Sequence, residues 1–331
     1  EEGEEGMITK VLYAALLAFL IALIVGPPVI KFLRRLKFGQ SIRVDGPQTH
    51  LKKAGIPTMG GILIVAAAAI STLLLTNGHV AVLYGLLATL GFSLIGLVDD
   101  FIIVVAKRSL GLRARQKLLG QVILGLVISL YALASPELGP NLLVPFSRQV
   151  LVLPPWVFMV VATSAMVGSA NAVNFTDGLD GLAAGTTAIA AVAYALLCIG
   201  LGEWELAVFA AAIAGACLGF TWFNAYPAQV FMGDTGSLGL GAALGALAVL
   251  TGTELFLVII GGVFVMETLS VILQVAYFRV TGGGRIFRMA PLHHHFELKG
   301  WPETKVVFRF WIIAFAFAVL GLAGFPAALG F

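Results

Sequence analysis

An all-α protein that crosses a membrane about ten times is predicted by three observations. Of the 331 residues, 60% are hydrophobic and only 11% charged, with a mean hydropathy of +1.01; soluble domains carry about 25% charge. Ten apolar runs, near 8–30, 57–76, 80–105, 118–135, 155–173, 182–201, 205–223, 237–251, 255–280 and 306–329, are long enough or nearly so for the roughly 20-residue helix that spans a bilayer core. The basic residues test that number, because Lys and Arg favour the cytoplasmic side and successive spans must alternate. With both termini outside, the loops 31–55, 106–117 and 279–309 all fall inside and hold 18 of the 20 Lys and Arg, leaving only Lys10 and Arg148 outside.

The first run follows one basic residue and precedes KFLRRLK, the reverse of a signal peptide's charge order, so it is expected to remain as the first span. The acidic EEGEEG before Met7 reads as a short tail outside a single domain, 7–331. The third run ends on LVDDFI, which puts Asp99 and Asp100 at the close of a helix. Their side chains point about 100° apart unless the helix frays there, and an acidic pair at a helix C-terminus opposes the macrodipole, so a cation is expected nearby. Between the fourth and fifth runs, the Pro-containing stretch 136–155 suggests a small hairpin on the outer face. The eighth run is short, and Cys198 and Cys217, inside apolar runs, read as small buried hydrophobes.

Ionisable groups at membrane spans are costly enough to mark function. Asp99, Asp100, Asp177, Asp180, Asp234 and Glu267 all fall toward the cytoplasmic ends of their runs, so the active site is expected on that face. In SANAVNFTDGLDGLAAG, Gly178 and Gly181 suggest that the chain breaks or turns, while Asn171, Asn174, Asp177 and Asp180 recur every third residue and, if helical, form one stripe of polar groups free of Lys and Arg. It suits a polar or magnesium-bearing ligand; capping of the sixth helix is the plainer alternative. In WFNAYPAQVFMGDTGSLGLG, Asn224 closes the seventh helix and Asp234 opens the eighth, either as an N-cap or as a metal ligand beside free backbone N–H groups. Glu267 and Gln274 lie on one face of the ninth helix. Lys52, Lys53, Lys107, Arg108, Arg113, Arg115 and Lys117 set topology and touch anionic headgroups, or in part face a polyanion. Carboxylates for a hard cation with lysines nearby fit phosphoryl transfer at a membrane surface. No P-loop is present, and nothing points to a nucleic-acid partner.

The segments GIPTMGG, GLVDD, GSANAVNFTDGLDGLA, FMGDTGSLGLG and APLHHHFELKGWPETKVVFRFW resemble the phospho-N-acetylmuramoyl-pentapeptide transferase family of the polyprenyl-phosphate N-acetylhexosamine-1-phosphate transferase superfamily, from about Met7 to the last run. That resemblance implies transfer of phospho-MurNAc-pentapeptide from UDP-MurNAc-pentapeptide to undecaprenyl phosphate, giving lipid I and UMP, in the bacterial cytoplasmic membrane and by a homodimer. It implies Mg2+ on Asp234, Asp99 orienting the lipid phosphate and Asp100 supporting it. A phosphate monoester is mostly a dianion at neutral pH, with a second pKa of about 6; direct attack is therefore favoured over a covalent aspartyl-phosphate. Asn171, Asn174, Asp177, Asp180 and Asn224 are implied to form the nucleotide and diphosphate pocket, with Phe231 against uracil, Lys53 and Lys117 as its basic groups, and Gln274, His293, His294 and His295 along its rim. Three adjacent histidines do not readily converge on one ion, since helical metal pairs use i, i+4 spacing, so the HHH run is expected to touch substrate rather than zinc. A sister enzyme transferring N-acetylglucosamine-1-phosphate and a cation-coupled transporter are the alternatives.

Overall fold

A computed structural model describes residues 2–36, 53, 55–105, 111–136, 138–147 and 149–325. Twelve helices and one hairpin follow in order among them: α1 (Glu2–Arg35), α2 (Gly61–Leu75), α3 (Val80–Val105), α4 (Ala114–Ala134), β1 (Asn141–Leu143), β2 (Val150–Val152), α5 (Pro155–Thr176), α6 (Leu182–Leu201), α7 (Trp204–Asn224), α8 (Gly233–Thr251), α9 (Glu254–Ile260), α10 (Gly262–Thr281), α11 (Leu292–Leu298) and α12 (Glu303–Ala323). Nine are long and apolar enough to cross a membrane, and α2 is a shorter apolar helix. The ten runs are therefore present, with three differences. The second run yields only 15 helical residues, about 22 Å at 1.5 Å per residue, because its first residues are extended and pair with another loop. The eighth is not short, since α8 starts at Gly233 and spans 19 residues. The ninth is broken at Gly261 into α9 and α10. Helix α1 also runs back through the acidic tail.

The centre of the bundle is α8, in which every residue from Thr235 to Thr251 is buried. Its sequence, GDTGSLGLGAALGALAVLT, is rich in Gly and Ala because neighbouring backbones come to contact distance, the usual basis of helix association in lipid. Ser169 O and the Cα of Ala170 on α5 crowd Gly241, and Gly239 lies against Ser93 on α3. Helix α7 meets α1 in the same way, through Gly215 on Ala15 and Gly219 on Ala22. Cys198 and Cys217 are free and buried in this core, as expected.

The expected hairpin is present, with Asn141 opposite Val152 and Leu143 opposite Val150 in an antiparallel register. The Leu143 N–H donates to Gly252 O (2.8 Å) and the Phe146 N–H to Gly324 O (2.7 Å), so the hairpin ties together the last residues of α8 and α12. The carboxylates singled out above, Asp99, Asp100, Asp177, Asp180 and Asp234, gather at the opposite end, where α8 begins.

Candidate active site

Two glycine-bearing segments bring the acidic residues together. Residues 57–61 lie alongside 231–232: Phe231 N–H donates to Pro57 O (2.8 Å), Gly60 N–H to Phe231 O (2.8 Å) and Gly61 N–H to Met232 O (2.9 Å). A methyl on Gly61 would overlap the backbone of Gly236, and one on Gly96 of α3 would overlap the Asp234 carbonyl. Met59 takes a left-handed backbone, φ 69°, a strain of about 1–3 kcal/mol held by these flanking hydrogen bonds. Helices α2, α3 and α8 therefore meet backbone to backbone at Asp234.

Helix α3 does not fray at its acidic pair; it continues to Val105, and the two side chains part as helical geometry requires. Asp100, 6% exposed, accepts from Thr235 N–H (2.9 Å) and Thr235 Oγ1–H (2.7 Å) through Oδ2, and from Asp234 N–H (3.2 Å) through Oδ1. It caps α8 from another helix, where a carboxylate satisfies N–H groups that have no partner within that helix and favours the positive end of its dipole. Asp234 is therefore not the N-cap; its carboxylate is left for other partners. Its Oδ1 accepts from Asn174 Nδ2 (2.8 Å), which also reaches Ser237 Oγ (2.8 Å), and its Oδ2 accepts from Lys117 Nζ. Asp99 Oδ1 takes Leu112 N–H (2.6 Å) and its Oδ2 stands 3.7 Å from Lys117 Nζ, the cation expected beside the pair.

The SANAVNFTDGLDGLAAG run breaks in the middle, as Gly178 and Gly181 suggest. Helix α5 stops at Thr176, Asp177 is its C-cap, and 177–181 turns back into α6. Asn171 is turned to Gln121, donating to its Oε1 (2.8 Å) and to Val167 O (2.8 Å). Asp180 does not cap α6, whose N-cap is Gly181 with φ 80°; it is 4% exposed and pairs with Lys53 Nζ (2.6 Å) and Ala228 N–H (3.0 Å). The stripe that lacks basic residues in sequence thus acquires Lys53 in space. Asn224 accepts from Gly181 N–H (3.0 Å) and donates to Val230 O (2.8 Å), so its amide latches the 181 turn to the loop before Asp234.

Although Asp177 keeps some exposed surface, its carboxyl is pushed up to about 8 by burial and then by the Asp234, Asp100 and Asp180 carboxylates. An unfolded Asp titrates near 3.9, so folding retains a proton that the unfolded chain has lost. That contribution is fully present below about pH 4 and lost as pH rises through about 8. In protein free of ligand and metal, the unfolding temperature should fall over this range, and Asp177→Asn should flatten the fall. An unchanged pH slope in the variant would overturn this assignment.

The histidine loop is built onto α10. Glu267 and Gln274 do share a face, and both hold that loop. Gln274 Oε1 accepts from Ile286 N–H (3.1 Å) and Phe287 N–H (2.9 Å), its Nε2 donates to Phe287 O (3.2 Å), and Glu267 Oε1 accepts from His293 N–H (3.3 Å). The rings of α11 diverge. His293 is fully buried, with Nδ1 3.2 Å from Glu267 Oε1 and Nε2 against Gly178, where there is no room for a methyl. His294 Nδ1 is 2.8 Å from Glu297 Oε2, and His295 Nδ1 accepts from Arg288 N–H (3.0 Å). Gln274 and His295 thus have loop-building contacts, and His293 buttresses the 177–181 turn from behind.

Phe231 is partly exposed, and Arg113 and Arg115 are exposed. Lys52, Lys107 and Arg108 lie outside the described residues. The inventory drawn from sequence lacked Thr235, Ser237, Gln121 and Glu303. Glu303 Oε1 accepts from both Lys53 Nζ (2.6 Å) and Asp180 N–H (2.8 Å); its sequence signal is a place after Pro302 within the APLHHHFELKGWPETKVVFRFW segment.

Asp180 and Glu303 face the Lys53 ammonium, Asp99 and Asp234 face that of Lys117, and Asp100 and Asp177 add two more carboxyls close to Asp234. Such an oxygen-rich acidic excess fits a hard divalent cation. Among the described residues no group of three or more His, Cys, Asp or Glu is arranged to hold a metal ion.

Residues 82–252 match the family described as Glycosyl transferase family 4, and residues 53–65 match the phospho-N-acetylmuramoyl-pentapeptide-transferase signature 1. The segment 57–61 that pairs with 231–232 falls in that signature. Relatives called phospho-N-acetylmuramoyl-pentapeptide-transferase include one from Desulforudis audaxviator, 52% identical over 327 residues (95% of this chain, 98% of the relative). Another, from Moorella thermoacetica, is 55% identical over 306 residues (92% and 96%), and one from Bacillus pumilus is 49% identical over 320 residues (94% and 97%).

Proposed function

The chain belongs to the phospho-N-acetylmuramoyl-pentapeptide-transferase family, and on that premise we propose that it joins UDP-MurNAc-pentapeptide to undecaprenyl phosphate, releasing UMP and forming lipid I. It is a multi-pass membrane enzyme, and the bacterial cytoplasmic membrane, with the acid cluster facing the cytoplasm, is where a soluble nucleotide and a lipid phosphate meet. The observation that carries the reading is Asp234. Its carboxylate stands at the first turn of α8 between Asn174 and Lys117, while Asp100 supplies the cap that Asp234 would otherwise provide.

Phosphoryl transfer asks little covalent chemistry of a protein and much positioning and charge neutralisation. Asp234, with Asp99 close to the same lysine, would hold Mg2+, which supplies charge neutralisation at the diphosphate. Lys117 presents its ammonium to the transferring phosphoryl oxygens. Asp99, fixed by Leu112 N–H, orients the acceptor phosphate, which attacks as its own dianion. Asn174 sets the rotamer of Asp234. Lys53, Asp180 and the 177–181 turn form the nucleotide wall, with Phe231 at its edge and His294 on the substrate side of the rim; Asn171, Asn224, Gln274, His293 and His295 hold those parts in register.

Purified protein in detergent, given undecaprenyl phosphate, Mg2+ and UDP-MurNAc-pentapeptide, should release UMP. Release from UDP-N-acetylglucosamine alone would show the sister enzyme, and no release from either would revive a transporter.

A further inference from the structure

We propose that Glu303, the first residue of the last helix, is a positioning residue for the nucleotide half of the site, acting through Lys53 and the 177–181 turn. The inference rests on the function proposed above and adds to it a part of the chain that the acidic motifs do not contain.

One carboxylate oxygen does two things. Glu303 Oε1 accepts from Lys53 Nζ at 2.6 Å and from the Asp180 backbone N–H at 2.8 Å. Lys53 Nζ in turn donates to Asp180 Oδ1 at 2.6 Å, and Asp180 Oδ2 takes Ala228 N–H at 3.0 Å. The triad closes a loop through segments 127 and 250 residues apart in the chain. Its side chains are nearly sealed from solvent, at 12%, 2% and 9% exposure for Lys53, Asp180 and Glu303. Burial pulls the Lys53 ammonium toward neutrality, but hydrogen bonds to Asp180 and Glu303 more than offset it and hold its pKa above the ordinary value. Lys53 therefore stays charged. An ammonium has three N–H donors; two are used, and the third has no partner among the described residues. Set against a ligand oxygen, that N–H would take the direction that the two carboxylates impose.

The rest of α12 is fitted to the same turn. Leu179 and Leu182 pack with Val306, Val307 and Phe310 in a small core of their own. Trp311 Nε1–H donates to Gly181 O (3.3 Å), and its ring lies so close over Gly185 that a methyl there would overlap it. Glu303 stands one turn before Val306 and Val307 on a helix already clamped to the turn that it orients. A polar lysine with a single carboxylate partner would sweep several rotamers; with two it is confined, which lowers the entropy lost on binding ligand.

The test compares Glu303→Ala and Glu303→Gln with wild type, varying nucleotide and lipid phosphate separately. Loss of ground-state positioning raises KM with little change in kcat. For Glu303→Ala, KM for the UDP-sugar should rise about tenfold while kcat and KM for the lipid phosphate stay within about twofold. Glu303→Gln keeps an acceptor oxygen but loses the charge, and its nucleotide KM should rise about threefold. Calorimetric binding of the UDP-sugar without acceptor should weaken in the same order. If the alanine variant fails to fold, the glutamine variant decides. An unchanged nucleotide KM, or a fall in kcat with both KM values unchanged, overturns the role of Glu303. Absence of UMP release by the wild-type protein instead overturns the function on which it rests.

Discussion

Asp234→Asn should lower kcat at least about 1000-fold, at the upper end of what removal of one electrostatic group costs. The amide keeps an oxygen for Asn174 to donate to, so the local geometry survives. What disappears is the charge that faces Lys117 and that would hold the metal. Two further readings separate chemistry from folding. Mn2+ titration of the variant, without substrate, should show at least tenfold weaker binding. Its unfolding temperature should be unchanged or higher, because one carboxylate is removed from a crowd of them, the usual exchange of activity for stability at a functional site. In wild type, EDTA should stop UMP release and added Mg2+ restore it. Turnover within tenfold of wild type would remove Asp234 from the metal site.

Gly96→Ala is expected to have the next largest effect, although glycine offers no functional group. A methyl on Gly96 would overlap the Asp234 carbonyl and the Thr235 amide, backbone atoms that cannot turn aside. Helices α3 and α8 must separate, at a cost of about 1–3 kcal/mol for overpacking. The same displacement strains the three hydrogen bonds by which Asp100 caps α8. A shift of about 1 Å at a positioned group costs about 100-fold in rate, so UMP release should fall by that order while the unfolding temperature also drops. Gly168→Ala is the control. A methyl at Gly168 meets nothing within 4 Å, and the exchange in a helix is worth about 1 kcal/mol of propensity, so stability should hold or rise. Equal behaviour of the two variants would mean that close approach at Gly96 does not govern the site.

Much of the scaffold was legible because its signals are local. Hydropathy needs only about 20 consecutive residues to mark a span, and the ten runs are all found as apolar helices, one of them broken at Gly261 and one cut to 15 residues. The hairpin at 141–152 falls inside the Pro-containing stretch 136–155 that suggested it, again a local signal. The acids were legible as a group, because a carboxylate at a span is costly wherever it points. Their individual duties were not. Asp99 and Asp100 are neighbours in sequence, yet one is paired toward Lys117 and the other caps a helix that begins at Gly233. Gly178 and Gly181 marked a break in the Asn171, Asn174, Asp177 and Asp180 series, and α5 does end at Thr176, but the partner each side chain finds was not legible.

The sequence by itself determined that this chain lives in a bilayer, where its helices lie, which family it resembles and which end of the bundle carries the acids; each follows from composition, local hydropathy or a contiguous motif. Only the tertiary structure decided which carboxylate caps α8 and which faces Lys117, that Asn224 and Gln274 act as latches, that the three histidine rings diverge, and that Glu303 reaches Lys53. Those outcomes depend on the direction of each side chain, and that direction is set by how closely α2, α3, α8 and α12 pack on one another, a distance that glycines such as Gly61 and Gly96 permit and no single segment encodes.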